Sequence, residues 1–279
     1  MRILLFGSGS PASIAALDAL ARVQTIAAVV VPDHRAAAPL IAAARERRID
    51  VVRQQSVRDA VDLICIATFP SLLSRDVLRV ARLGAINVHM SLLPKHRGPD
   101  PLFWTYIDDD RETGVTVHWV EERADAGPII LQRSIALERG RSIVDVYMEL
   151  SAIGAELLVE AVRQIASGTA ARVEQDETRA TLEPSRDAAK WPEYLAKWPA
   201  ERVWHVVKGL TTGPAGTLLR DERGRPVAHG QARGFTMEPS SEMPGTVRVL
   251  GDRIRVFCID GVVDVAKPPR RSILRRLLR

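Results

Sequence analysis

The chain has 279 residues, 46% of them hydrophobic and 26% charged, which is typical of a globular protein that buries its own core. Its two cysteines, Cys65 and Cys258, are far apart, and this excludes both a disulfide framework and a CxxC metal site. The formal charge is +5 and the basic excess lies after Lys190. That excess is either an ordinary basic surface or the contact region for a polyanionic partner.

The sequence indicates no membrane segment. No apolar stretch reaches the ~20 residues that cross a bilayer. The apolar start of the chain is interrupted by Gly7, Gly9 and Pro11, too early for a signal peptide. We therefore expect a cytoplasmic protein with no membrane partner.

Strands and helices alternate over the first half of the chain. The predicted strands are Arg2–Phe6, Thr25–Val31, Asp50–Val52, Asp62–Ala67, Gly84–His89 and Val115–Val120. Helices are predicted after Pro11 and over 37–48. Most of these strands are continuously apolar, as in parallel strands that are covered on both faces. The pattern predicts an α/β domain with a mainly parallel sheet.

The second half of the chain changes character twice. An amphipathic pattern between Ser142 and Gly168 predicts a long helix. The polar stretch Thr169–Lys190 has no clear period, and we interpret it as a linker. Short strands between turns are then predicted at Gly216–Leu219, Pro226–Ala228, Gly245–Val249, Arg253–Phe257 and Val262–Val265. They predict a small β-barrel or sandwich.

Asn87 and His89 end one of the predicted strands of the α/β domain. Residues two apart on a strand share a face, and ligands bind at the carboxyl edge of open α/β sheets. An amide donor beside an imidazole can stabilise a developing oxyanion while the imidazole handles protons. A single histidine on a strand is otherwise more often a satisfied core residue.

Asp125 follows a later strand in the small-residue loop Arg123–Gly127. A carboxylate in such a loop can reach an imidazole, and its negative charge would raise the pKa of His89. An Asp-Ala-Gly sequence is also an ordinary turn signal, so Asp125 alone does not identify a site.

Four motifs together resemble the N10-formyltetrahydrofolate-dependent formyltransferases. They are Asn87-x-His89-x-Ser91-Leu92-Leu93-Pro94, Arg97-Gly98, Glu112-Thr113-Gly114-Val115-Thr116 and Asp125-x-Gly127. The resemblance implies a Rossmann-like formyltransferase domain over residues 1–185 and a small OB-like β-barrel domain over 190–279. It is weaker in the second domain, where Lys197–Val203, Pro244–Val247 and Pro269–Arg271 resemble the tRNA-directed enzymes.

The resemblance also implies the roles of individual residues. Asn87, His89 and Asp125 would be catalytic, acting while an acceptor amine attacks the formyl carbon of the co-substrate N10-formyltetrahydrofolate. The folate pocket would be lined by residues of two loops and one further aromatic residue: Ser91, Leu92, Leu93, Pro94, Val120, Glu121, Glu122, Arg123, Ala124 and Phe69. No metal is implied.

The acceptor is the least defined part of the resemblance. The tRNA-directed enzymes carry a basic insertion after their second strand, whereas here 32–35 leads at once into a helix. The sequence of Arg123–Gly127 is also closer to the enzymes that modify amino sugars. These two features favour a small molecule, such as an amino sugar or modified amino acid. Position 90 is Met instead of a small residue, which would reshape the floor of the pocket. The C-terminal domain and its basic tail favour aminoacyl-tRNA, as in methionyl-tRNA formyltransferase.

Three other functions are compatible with parts of the sequence. Gly7-x-Gly9-x-x-Ala12 followed by Asp33 is a weak dinucleotide fingerprint, so a nicotinamide oxidoreductase is one alternative. A formyltetrahydrofolate hydrolase would use the same three residues, but we expect such an enzyme to carry an additional N-terminal domain. RNA binding without catalysis could rest on the basic and apolar tail Lys267–Arg279.

Overall fold

A computed structural model describes residues 1–185, 191–210, 218–221 and 223–267. Two compact units are present. Unit 1 consists of Met1–Thr105, Glu112–Ala136 and Tyr147–Pro184. Unit 2 consists of Tyr106–Arg111, Leu137–Val146 and the described residues from Ser185 onward. Unit 2 thus includes two short segments that lie within the first 185 residues of the chain.

Unit 1 contains a seven-stranded sheet in the order β3-β2-β1-β4-β5-β6-β7. The strands are β1 Arg2–Gly7, β2 Thr25–Val30, β3 Val51–Val52, β4 Leu63–Ala67, β5 Ala85–His89, β6 Glu112–Trp119 and β7 Ile129–Ala136. The first five in that order are parallel, and β6 and β7 are antiparallel to their neighbours. The predicted α/β class with a mainly parallel sheet is confirmed. Strand β7 was not among the predicted strands.

The helices cover this sheet and connect its strands. Their bounds are α1 Pro11–Leu20, α2 Ala38–Glu46, α3 Arg75–Leu78, α4 Pro101–Ile107 and α5 Ile143–Ser167. Ser10 caps α1 by accepting a hydrogen bond from Ser13, and Pro11 occupies the first turn, where its missing N–H costs nothing. Gly168 follows α5 with a φ of +73°, the left-handed conformation that commonly ends a helix. Helix α4 was not predicted.

The core of unit 1 explains why the strands read as apolar runs. The side chains of Leu5, Phe6, Ile64 and Ile86 are fully buried, and Leu17 of α1 is buried as well. Burying such a side chain contributes roughly 1.5–3 kcal/mol relative to leaving it exposed. The rigid sheet therefore fixes the ends of β5 and β6, which carry the polar residues of interest.

The register between β5 and β6 aligns four polar side chains. Asn87 lies directly opposite His118, and His89 lies opposite Thr116. Since residues two apart on a strand share a face, all four side chains belong to one face of the sheet. Three of them, His89, Thr116 and His118, are buried.

The interpretation of Thr169–Lys190 as a linker is wrong for the part that the structure describes. Val173 exchanges two backbone hydrogen bonds with Ile129 of β7, at 2.8 and 3.0 Å. Arg97 donates to the carbonyl of Thr181 at 3.0 Å and accepts from Glu183 at 2.9 Å. The segment is polar because it is an edge that pairs with the backbone of the loops around β5, and such pairing needs no apolar period. Residues 186–190 lie outside the described part of the chain.

Unit 2 contains α6 Trp191–Leu195, α7 Ala200–Leu210 and a four-stranded antiparallel sheet in the order β8-β11-β10-β9. Its strands are β8 Ala232–Thr236, β9 Val247–Leu250, β10 Arg253–Phe257 and β11 Val262–Ala266. The prediction of a separate small β domain is confirmed, and the last three strands lie where predicted. Strand β8 was missed, and Pro226 forms only an isolated bridge with Arg220.

Two predicted features of unit 2 fall partly outside the described residues. They are the strand Gly216–Leu219, described from residue 218, and the basic tail, described only at Lys267. Among the described helices, none is long and apolar enough to cross a membrane.

Candidate active site

Asn87, His89 and Asp125 meet on one face of the sheet in unit 1. Asn87 and His89 are presented by β5, and Asp125 by the loop between β6 and β7. Oδ1 of Asp125 lies 3.4 Å from Nδ2 of Asn87 and 3.6 Å from Nδ1 of His89. Two residues from one strand and one from a separate loop therefore converge within contact distance.

The protonation of the His89 ring follows from its backbone partner. Nε2 of His89 lies 2.8 Å from the carbonyl oxygen of His96. A carbonyl only accepts, so Nε2 carries a hydrogen and donates it. In the neutral ring, Nδ1 is then the unprotonated nitrogen, and this is the atom that faces Asp125.

His118 fixes the orientation of Asn87 by the same reasoning. Nδ1 of His118 lies 2.8 Å from the carbonyl of Trp119 and must donate to it. In the neutral ring Nε2 is an acceptor, and Nδ2 of Asn87 donates to it at 3.2 Å. The second N–H of Asn87 faces Oδ1 of Asp125 at 3.4 Å.

The loop that carries Asp125 has an unusual conformation. Asp125 has a φ of +52°, in the left-handed region that residues with a side chain rarely occupy. The backbone N–H of Gly98 donates to its Oδ2 at 2.9 Å. The Gln175 amide donates to the carbonyls of Asp125 and Gly127, both at 2.8 Å. The strained residue is therefore held both at its carboxylate and at its backbone.

The surroundings keep Asp125 ionised. Burial acts to raise the pKa of this carboxyl group, but the nearby His89 and His118 rings and the N–H donated by Gly98 together lower it more. The pKa of Asp125 therefore lies well below its ordinary value of 3.8. Asp125 is an anion at neutral pH.

As expected, the charge of Asp125 acts to raise the pKa of His89. The expected net increase of this pKa is wrong, however. Burial lowers the pKa of His89 and outweighs Asp125, which raises it, so the pKa lies below 6.5. The sequence shows the charged neighbour but not that the ring is fully enclosed. His89 is consequently neutral at rest in this structure.

The Ser91–Pro94 loop is held through its backbone by side chains of β6 and β7. Oγ1 of Thr116 donates to the carbonyl of Ser91 at 2.7 Å and accepts from the N–H of Leu93 at 3.2 Å. Nε2 of Gln132 donates to the carbonyl of Leu93 at 2.9 Å and to Oγ1 of Thr116 at 2.8 Å. Ser91, Leu93 and Pro94 are buried and Leu92 is half-buried. These hydrogen bonds fix the backbone of the loop from within unit 1.

Of the other residues predicted to line the folate pocket, Phe69 and Val120 are half-buried and pack against the same apolar cluster of the sheet. Phe69 follows β4, and its ring packs edge-on against Phe6 at 5.1 Å. Val120 donates to the carbonyl of Ala85, at the start of β5.

The remaining four of these residues are exposed: Glu121, Glu122, Arg123 and Ala124. Glu122 pairs with Arg75, and Arg123 donates to Glu177 at 2.8 Å. A role for this loop in folate binding stays a prediction.

Comparison with known proteins identifies the family of the chain. Residues 18–162 match the formyl transferase family. The methionyl-tRNA formyltransferase of Anaeromyxobacter dehalogenans (strain 2CP-C) is 33% identical over 285 aligned positions, covering 94% of this chain and 89% of the relative. This chain belongs to the formyltransferase family.

Solved structures share the fold of this formyltransferase over nearly its whole length. The sugar 3N-formyltransferase WlaRD, solved with dTDP and 5-N-formyl-THF, has a TM-score of 0.74 at 14% identity, covering 96% of this chain and 97% of that one. The N-formyltransferase of Helicobacter canadensis, solved with folinic acid and dTDP-3-aminofucose, has a TM-score of 0.72 at 14% identity, covering 95% and 98%. At this identity the likeness concerns the fold alone.

Three residues that support the candidate site were not singled out from the sequence: His118, Gln132 of the unpredicted strand β7, and Gln175. His118 lies in the predicted strand Val115–Val120, but its role depends on the pairing of β6 with β5, which places it opposite Asn87. Gln175 lies in the segment interpreted as a linker. One signal for His118 was available, because it is a polar residue in the apolar run Val115–Val120.

Proposed function

We propose that this formyltransferase moves the formyl group of N10-formyltetrahydrofolate to a primary amine, with Asn87, His89 and Asp125 at the reacting carbon. The observation that carries the proposal is the convergence of the three side chains, with Oδ1 of Asp125 at 3.4 Å from Asn87 and 3.6 Å from His89. An amide donor, an imidazole and a carboxylate are the groups that acyl transfer to an amine requires.

Asp125 handles the proton of the acceptor. The neutral amine attacks the formyl carbon and gives a tetrahedral intermediate with a positive nitrogen and a negative oxygen. Asp125 is ionised and takes a proton from that nitrogen. The bond between the formyl carbon and N10 then breaks, and N10 receives the proton. The products are a formamide and tetrahydrofolate.

His89 and Asn87 stabilise the negative oxygen. Nε2 of His89 donates to His96, so an additional proton binds at Nδ1, the atom beside Asp125. The proton that Asp125 takes from the amine can pass to this nitrogen, and the resulting imidazolium balances the charge on the oxygen until the proton is given to N10. Asn87 donates its second N–H to the same oxygen. This N–H is available because its contact with Asp125 is long, at 3.4 Å. Removal of one oxyanion donor typically costs about 10²–10³ in rate.

The donor site is proposed beside this centre, at the Ser91–Pro94 loop. Thr116 and Gln132 bind the backbone of that loop and so support a fixed set of remaining backbone groups for the pterin-like ring of the folate. A site that is ordered in advance binds with less loss of conformational entropy. Phe69, Val120 and the exposed residues 121–124 are proposed as the rest of its lining.

For the acceptor, we propose a small molecule that carries a primary amine, such as an amino sugar or modified amino acid. The short connection after β2 supports this choice: β2 ends at Val30, and a 3-10 turn begins at Arg35. Such a connection has no room for a basic insertion that grips RNA. Methionyl-tRNA is the second candidate, supported by the identity of 33% with methionyl-tRNA formyltransferase over 94% of this chain.

The test is incubation with N10-formyltetrahydrofolate and a panel of amines, following release of tetrahydrofolate. Nucleotide-linked amino sugars, free amino acids and charged initiator tRNA belong on the panel. Release that depends on an amine supports transfer, and the amine identifies the acceptor class. Release without any amine indicates a hydrolase, while quenching of protein fluorescence by NADH but not by folate would indicate an oxidoreductase.

A further inference from the structure

We infer that Gln175 is a positioning residue for formyl transfer, which holds the loop of Asp125 in its reactive conformation from a separate segment of the chain. This inference rests on the proposed role of Asp125. Gln175 lies beyond α5 and reaches the site only because that segment pairs with the loop after β5 and with β7.

The Gln175 amide bonds to both sides of the strained residue. Its Nε2 donates to the carbonyl of Asp125 and to the carbonyl of Gly127, each at 2.8 Å. Asp125 has a φ of +52°, and such a conformation costs of order 1–3 kcal/mol unless the surroundings enforce it. The two hydrogen bonds stabilise this conformation, one at the carbonyl of Asp125 and one at the carbonyl of Gly127.

The orientation of this amide is fixed by Arg97. Oε1 of Gln175 accepts from Nε of Arg97 at 3.1 Å and from Nη2 at 2.8 Å. A guanidinium has only donors, so the oxygen of Gln175 must face Arg97 and the nitrogen must face the two carbonyls. The amide therefore cannot be reversed without losing four hydrogen bonds.

Arg97 also ties Gln175 to the other side of Asp125. The next residue along the chain, Gly98, donates its N–H to Oδ2 of Asp125 at 2.9 Å. The dipeptide Arg97-Gly98 therefore holds Asp125 in two ways. Gly98 binds its carboxylate directly, and Arg97 acts through Gln175 on its backbone carbonyl. Movement of this support would displace the carboxylate relative to His89.

A second bridge closes the network on the surface side. Glu177 accepts from Nη2 of Arg97 at 2.9 Å and from Arg123 at 2.8 Å. Arg123 is two residues before Asp125, so the loop is tied on both sides of that residue. Inside the network, Gln175 is only 8% exposed and Arg97 is 4% exposed. Water cannot replace the bonds of a buried amide that is removed.

Two substitutions separate the functions of the amide. Gln175→Met keeps the length of the side chain and removes all four bonds. Gln175→Glu keeps an acceptor for Arg97 but replaces the N–H groups that hold Asp125 and Gly127 with a negatively charged oxygen that repels both carbonyls. Gln164→Met is the matched control, because Gln164 donates to Glu160 within α5 at 3.0 Å, away from the site.

The experiment measures kcat and KM for tetrahydrofolate release, and binding of 5-formyltetrahydrofolate, in these variants and in Asp125→Asn. We expect a loss in kcat on the order of 10²-fold for both Gln175 variants, with binding nearly unchanged, because small misplacements of a reacting group have effects of this size. In the Asp125→Asn background, Gln175→Met should cost little more, since it acts through Asp125.

The same loss in both backgrounds, or wild-type kcat in Gln175→Glu, would overturn the inference. Full activity of Asp125→Asn would instead defeat the proposed function. An NMR titration of the His89 ring gives a readout that needs no acceptor. Gln175→Met, which adds no charge, and Asp125→Asn should both lower the pKa of His89 further, because the carboxylate that raises it has moved or is gone. An unchanged His89 titration in Gln175→Met would contradict the inference.

Discussion

Nδ1 of His89 faces Oδ1 of Asp125 at 3.6 Å because Nε2 of the same ring is committed to the carbonyl of His96 at 2.8 Å. This arrangement assigns the two ring nitrogens different tasks. Nε2 orients the ring, and Nδ1 is the position at which a proton can be gained beside the carboxylate. Other parts of the fold maintain this relationship, and their contribution can be measured by substitution.

Substitution of His118 should impair the orientation of Asn87. In His118→Phe, Asn87 loses its acceptor at 3.2 Å and its amide can turn. A hydrogen bond of this kind contributes about 0.5–1.5 kcal/mol, so we expect kcat to fall by up to about tenfold with little change in KM. Steady-state kinetics measure kcat and KM. The control is His34→Phe, because His34 is exposed. A change in KM alone would contradict the assignment.

Gly98→Ala should be much more harmful than an alanine at another left-handed glycine. Gly98 has a φ of +113°, and an added Cβ would come within 2.4 Å of the carbonyl oxygen of Glu183. Gly168 has a φ of +73°, but an added Cβ would meet nothing within 4 Å. We expect Gly168→Ala to cost only about 1 kcal/mol of unfolding free energy.

Denaturant unfolding and kcat together test this pair. Gly98→Ala should lose more stability than Gly168→Ala and should also lose activity, because its N–H holds Asp125. Equal effects of the two substitutions would show that the contact with Glu183 is not important.

The Thr116 hydroxyl should be required for an ordered Ser91–Pro94 loop. In Thr116→Val the carbonyl of Ser91 and the N–H of Leu93 lose a buried partner, which costs about 1–3 kcal/mol per group. Thr105→Val is the matched control, because the buried Thr105 hydroxyl donates to Pro101 one turn back in its own helix. We expect weaker binding of 5-formyltetrahydrofolate in Thr116→Val only, measured by calorimetry. Equal binding in the two variants would argue against a folate site at this loop.

Acid should destabilise unit 2 through His205. This ring is buried and stacked on Tyr106 at 5.0 Å, and burial together with Arg139 lowers its pKa to about 4. Between pH 6.5 and about 4 the unfolded chain binds a proton that the folded chain does not. Stability is therefore lost as the pH falls through this window, by roughly 3 kcal/mol in total.

His205→Asn tests the acid effect, because asparagine does not titrate and can still accept the N–H that Gly140 donates to Nδ1 at 2.8 Å. Unfolding free energies at pH 7 and pH 4.5 should differ less in this variant than in the wild type. The same pH dependence in both proteins would assign acid sensitivity to other groups.

The sequence predicts those parts of the fold in which local pattern and burial agree. Strands β1, β2 and β4 are continuous apolar runs, and they lie where predicted. Strand β7 was missed because Gln132, Arg133 and Ser134 interrupt its pattern on an edge of the sheet. Edge strands expose part of their surface, so polar residues are allowed there.

For the candidate site, the sequence indicates Asn87, His89 and Asp125 through their motifs but not the partners that hold them. His118 depends on the register of two antiparallel strands, and Gln175 on the pairing of a polar segment with distant loops. Both are long-range relationships, which a local pattern does not contain. The burial of His89 also results from long-range packing, and it reverses the expected direction of the pKa shift of this residue.

The most direct test of the proposed chemistry is the single-turnover rate of formyl transfer in Asp125→Asn, with Asp33→Asn as control. Asp33 is exposed and pairs with Arg53 at 3.3 Å, outside the site. Both variants should bind 5-formyltetrahydrofolate like the wild type. We predict that Asp125→Asn loses at least about 10²–10³ in rate, comparable to removal of a catalytic proton acceptor, while Asp33→Asn does not. A rate for Asp125→Asn equal to that of Asp33→Asn would contradict the account.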